Sequence, residues 1–199
     1  MSGSDDAPFA AVVHCVGLLF DDSSGLGNLN RLVSGSGSVP DTQSTYDDIT
    51  RQTAFNAIEA AEEYANDQNL DQPFPFIFTS AAEAGWPDVK GGPFVEKTLA
   101  PEWLRRYLVA KRAVEGRLGE SQSSKKLRPI IFRPSLIYSI DRIASLPPVA
   151  AFVVGNKIGL PFVDRPVTVQ SLANAAVRAL GKDDVVGVQR YLQIDALNE

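Results

Sequence analysis

Apolar residues along this chain fall in short blocks separated by polar stretches. Residues 9–17, FAAVVHCVG, form an apolar run closed by glycine. Such a run reads as a strand buried on both faces, as in a parallel sheet. Residues 18–45 are polar and rich in Gly, Ser, Asp and Asn, which predicts a long flexible loop. From 46 to 66 the period becomes helical. Ala54, Ile58, Ala61 and Ala65 share one face, and acidic residues occupy the first turn, where the helix dipole favours them. FPFIFTS (74–80) predicts a second strand, and 81–100 a loop. A helix then starts at Pro101 and is expected to stop at Gly119, a residue suited to the left-handed position past a last turn. RPIIFRPSLIYS (128–139) reads as a third strand interrupted at Pro134, and residues 140–166 yield no clear element. In VTVQSLANAAVRALG (167–181), Val169, Leu172, Ala173, Ala176 and Leu180 predict the inner side of a helix ending at Gly181. VGVQRYLQI (186–194) predicts a last strand.

Strands thus alternate with helices, which argues for an α/β fold with a parallel sheet. The 199 residues suffice for one domain with a core. Composition changes this picture little: 44% hydrophobic and 22% charged residues are those of an ordinary globular protein. A net charge of −5 without a basic stripe argues against a nucleic-acid partner. Cys15 is the only cysteine and His14 the only histidine, so neither an intrachain disulfide nor a Cys/His zinc site can form. No apolar run approaches the roughly 20 residues of a membrane-spanning helix. The segment MSGSDDAPFA is acidic and shows no targeting pattern.

Candidate chemistry begins with RRYLVAKR (105–112), where Tyr107 precedes Lys111 by four residues. On a helix the two side chains project together. An ammonium beside a phenol favours the phenolate, which would bring Tyr107 toward the range of a general acid/base. Tyr-x-x-x-Lys also occurs by chance on surface helices. Ser80 adds context: it ends the second predicted strand at its carboxyl edge, where open α/β sheets place ligands.

TSAA (79–82), YLVAKRAVE (107–115) and IIFRPSLIY (130–138), in this order, resemble the short-chain dehydrogenase/reductase superfamily in its extended and atypical branches. VVHCVG (12–17), YDDITRQTAFNAIEAA (46–61) and PVTVQSLANAAVRAL (166–180) resemble that family's fourth strand, the helix after it and its substrate-side helix. The resemblance implies the C-terminal part of a Rossmann-like doubly wound sheet. It places 140–199 in a small substrate-side region of a single partial domain. It implies Ser80, Tyr107 and Lys111 as catalytic residues. Contacts to NAD or NADP would fall to Gly17, Thr79, Lys111, Arg133, Pro134 and Ser135. The Lys-Arg-x-x-Glu after Tyr107, the VVHCVG start and the segment TRQTA look most like a mitochondrial subgroup. That subgroup is related to the Rossmann accessory subunit of complex I and to an accessory dehydrogenase-like protein of coenzyme Q biosynthesis. Mitochondrial localisation, possible peripheral contact with a membrane, and a small-molecule substrate or a complex as partner follow by resemblance only.

Three departures bear on activity. Thr50 stands where typical members carry a relay Asn, and Ser135 where they carry Gly. No Gly-x-x-Gly-x-x-Gly follows a strand; GLGNLN (25–30) and SGSGS (34–38) lack the context of a phosphate loop. The family's first strands are therefore expected to be absent from these residues, through truncation or in a short protein whose edge is covered. Strand 9–17 is then expected to be an exposed apolar edge, and the chain alone to hold NAD(P)H too weakly to measure. Two functions follow: an NAD(P)-dependent oxidoreductase, or a non-catalytic scaffold or assembly factor.

Overall fold

The structure, a computed structural model, describes residues 8–18, 20–21, 24, 44–138, 153–160 and 162–199. GLGNLN, SGSGS and most of the predicted 18–45 loop lie outside the described residues. The elements are β1 (Val12–His14), a π-helical turn (Asp47–Gln52) running into α1 (Thr53–Asp67), β2 (Phe74–Thr79), a 3-10 turn (Ala82–Asp88), α2 (Gly92–Thr98) and α3 (Glu102–Ser123). After them come β3 (Leu127–Phe132), β4 (Ile137–Tyr138), β5 (Val167–Thr168), α4 (Val169–Leu180), β6 (Gly187–Gln189) and α5 (Tyr191–Ala196). Four strands form a parallel sheet in the order β1-β2-β3-β6, and β4 and β5 pair in a small second sheet.

The alternation of side chains along β2 and β3 splits the core in two. Phe76, Phe78 and Ile131 face Ala54, Ile58 and Ala61 of α1 and Val114 and Leu118 of α3. Ile77, Ile130 and Phe132 face Ala175 and Ala179 of α4 and Ile194 of α5. Both faces are covered, so the sheet is doubly wound and Rossmann-like. The central strands consequently read as unbroken apolar runs.

At the edge, β1 is shorter than its apolar run, and one side of it is open. Val13 is 52% exposed, and Phe9 and Val16 are exposed with it. Among the described residues its only strand partner is β2.

Four expectations are corrected. The 81–100 segment contains two short helices rather than a loop. Its prolines fit them, Pro93 lying in the first turn of α2 behind Gly91, which has φ 80°. Gly119 lies inside α3, which runs on to Ser123. Lys125, at φ 57°, takes the left-handed position instead, and the amide of Lys126 donates to the Ser121 carbonyl. On α4 the fully buried residues are Ala175 and Ala179, while Val169 and Ala173 are exposed. Small residues mark where that helix lies closest to the sheet. The last strand stops at Gln189, because the amide of Arg190 donates to the Gln193 side chain and opens α5.

Candidate functional site

The carboxyl ends of β1, β2 and β3 meet the inner row of α3. Tyr107, Lys111 and Glu115 succeed one another at intervals of four on that row, so they stack along one face. Lys111 is only 4% exposed. Its Nζ donates to the Thr79 carbonyl at 2.7 Å, 4.8 Å from the centre of the Phe78 ring and 5.5 Å from that of Tyr107. A Cβ on Gly17 would lie 3.3 Å from that Nζ, so the glycine leaves the ammonium its room. Burial pushes the Lys111 ammonium down to about 8; Cys15 and Glu115 act in the opposite direction.

Ser80 follows Thr79, its amide donating to Phe132 O at 2.8 Å. Its hydroxyl is buried and makes no hydrogen bond. An orphaned buried hydroxyl costs about 1–3 kcal/mol, a debt that a ligand oxygen can settle. His14 Nδ1, at the end of β1, is also buried and unpaired, while its Nε2 lies 3.4 Å from Thr53 Oγ1. Burial, then the charge of Lys111, lowers the His14 pKa and favours the neutral ring.

Tyr107 is half-buried and packs edge-on against Tyr46, ring centres 5.8 Å apart. The expected lowering of its pKa is not found. Burial raises it, and the negative charge of Glu83 adds to the rise. The Lys111 ammonium, which donates to the Thr79 carbonyl, does not offset this rise. Glu83 itself is pushed up to about 7 by burial, with Asp164 adding to the shift. Near neutral pH this carboxyl can hold or release a proton close to Tyr107. Sequence reasoning passed over Glu83; its place three residues beyond Ser80 was the available signal.

The Arg133-Pro134-Ser135 turn lies on the same edge, but most of its polar groups are engaged by protein. Arg133 forms a bidentate pair with Glu115, with Nε donating to Oε1 at 2.9 Å. The Pro134 carbonyl accepts from the Ala82 amide at 2.9 Å, and Ser135 Oγ donates to the Asp164 carbonyl at 2.9 Å. Thr50 is fully buried, and its hydroxyl accepts from the Leu18 amide at 3.3 Å. It holds the segment after β1 in place. The structure thus gathers Gly17, Thr79, Ser80, Tyr107 and Lys111 into one cluster and sets Arg133, Pro134 and Ser135 beside it as braces. Among the described residues no group of three or more His, Cys, Asp or Glu side chains could hold a metal ion.

No protein-family model and no curated protein matches the chain. Among solved structures it is similar to RMD from Pseudomonas aeruginosa complexed with NADPH, at 16% sequence identity and a TM-score of 0.54. The alignment covers 93% of this chain and 60% of that one, so the chain spans about three fifths of its neighbour's length. At this identity the likeness establishes the fold alone, a Rossmann-like parallel sheet with helices on both faces.

Proposed function

We propose that this chain is an NAD(P)-binding, short-chain-dehydrogenase-like protein acting on a carbonyl or alcohol group. The observation that carries the reading is the unpaired, buried Ser80 hydroxyl at the carboxyl edge of β2, next to Thr79, whose carbonyl holds Lys111. Ser80 orients the reacting oxygen. Tyr107 supplies its proton, and Glu83 can return one. Lys111 spends one of its three donors on Thr79 and keeps the others for ribose hydroxyls. Bound NAD(P)H would supply the hydride.

The test uses reduced nicotinamide mononucleotide, the half of the cofactor that needs no glycine-rich loop. Saturation-transfer NMR should show its nicotinamide and ribose protons contacting the wild-type chain, with the signal lost in Ser80→Ala and Lys111→Met. Absence of contact, or contact unchanged in both variants, refutes the reading.

A second reading, a non-catalytic scaffold, is favoured by one observation: the Tyr107 pKa is raised rather than lowered. It predicts that Tyr107→Phe retains full biological activity. By the resemblance of TRQTA and YLVAKRAVE, we place either activity in the mitochondrion, in coenzyme Q metabolism or respiratory-complex assembly. Cell fractionation that finds the protein elsewhere removes that setting.

A further inference from the structure

Beyond Ala82, on the β3–β6 side of the sheet edge, lies a cavity of about 190 Å³. Trp86, Val89 and Phe162 give it apolar walls, and Arg133 and Arg190 give it polar ones. It has room for about six waters at bulk density, or one substituted ring. That is smaller than the roughly 300–1,000 Å³ of sites for drug-sized ligands.

The two arginines are arranged alike. Arg133 spends Nε and Nη2 on Glu115, and Arg190 spends Nε and Nη2 on Asp164. In each, Nη1 makes no hydrogen bond among the described residues. Gly85, also on the wall, admits the Arg133 edge: a Cβ there would come within 2.8 Å of Nη1. Trp86 adds no free donor, since its Nε1 donates to the Phe162 carbonyl at 2.9 Å.

Charge decides the kind of ligand. Each guanidinium is neutralised by its own carboxylate, Asp164 being 4% exposed, and Asp88 adds a negative charge at the rim. The cavity therefore has free N–H donors and aromatic walls but no net positive field. An anion would find donors without charge compensation, whereas a neutral oxygen acceptor needs only the donors.

We propose that this cavity binds a neutral, single-ring carbonyl compound, its oxygen accepting from Nη1 of Arg133 or Arg190 and its ring lying against Trp86 and Phe162. This is a binding site apart from the Ser80, Tyr107 and Lys111 cluster, and it stands independently of the cofactor reading above.

Acetophenone and benzoate are a matched pair, alike in shape and different in charge. In NMR titrations of the intact chain, acetophenone should bind saturably, with intermolecular NOEs to the Trp86 indole and the Phe162 ring. Benzoate should bind at least tenfold more weakly. Gly85→Ala, which displaces Arg133, should weaken acetophenone binding at least fivefold. Should that variant not fold, the wild-type NOEs and the acetophenone-to-benzoate ratio still decide. No saturable binding, equal affinity for benzoate, NOEs away from Trp86, or a folded Gly85→Ala that binds normally overturns the proposal. If reduced nicotinamide mononucleotide fails to bind while acetophenone still contacts Trp86, the cofactor reading falls and the cavity assignment stands.

Discussion

Replacing Lys111 by methionine should stabilise this protein. The lysine is almost wholly buried, its ammonium depressed from 10.5 to about 8 by burial. Between those values the unfolded chain binds the proton more tightly than the folded one, so stability rises with pH across that window. Below about pH 8 the penalty is fully present. A shift of that size corresponds to about 3 kcal/mol. Methionine has similar length and no charge, but it leaves the Thr79 carbonyl without its donor, at a cost of about 1 kcal/mol. Lys111→Met should thus be more stable than wild type by about 2 kcal/mol at pH 7, and the difference should shrink toward pH 10. Urea unfolding of both proteins at pH 7, 8.5 and 9.5 measures it. Burial raises Tyr46 and Tyr107, which act in the opposite direction above about pH 10, but these are common to both proteins and cancel. A Lys111→Met protein less stable than wild type at pH 7, or a difference that does not change with pH, would refute the reasoning. Stabilisation would mark Lys111 as retained at a cost in stability, as residues kept for function often are.

Three further outcomes follow from packing. Arg128 is buried, and its guanidinium donates to the carbonyls of Ala179, Leu180, Lys182 and Val185, with no carboxylate in salt-bridge range among the described residues. It closes the carboxyl end of α4, so Arg128→Met should lower unfolding free energy by about 2–4 kcal/mol; a urea midpoint that does not move would contradict this. Gly119→Ala should stabilise by up to about 1 kcal/mol, because that glycine is inside α3 with open space where a Cβ would go. Gly92→Ala should destabilise by at least about 2 kcal/mol, since its Cβ would fall 2.0 Å from the Trp86 carbonyl oxygen. Melting temperatures shifting in the same direction for both glycines would refute the local geometry.

The layers were legible because burial writes itself as periodicity. Phe74 to Phe78 and the row Ala54, Ile58, Ala61, Ala65 could be assigned from spacing alone, and all but one of these residues are buried in the folded protein. Pro75 is the exception, half-buried. Residues 81–100 were not legible, because Gly and Pro serve both loops and the first turns of short helices. The inner face of α4 was misread for a related reason: a hydropathy pattern favours large residues, but the tightest approach to the sheet is made by Ala175 and Ala179. Tyr107 and Lys111 could be paired from their spacing. The direction of the Tyr107 shift could not, because it depends on burial and on Glu83. Two spare guanidinium nitrogens facing one cavity, from residues 133 and 190, leave no trace in any local pattern.

The row on α3 also constrains which insertions and deletions the gene can accept. Lys111 is fastened to the end of β2 through Thr79, and Glu115 to the end of β3 through Arg133. One residue gained or lost between them turns the following helix by about 100° and carries one anchor away from its strand. Length changes should therefore be purged from 107–115 even where substitutions are accepted. In that sense the helix keeps the reading frame of the site.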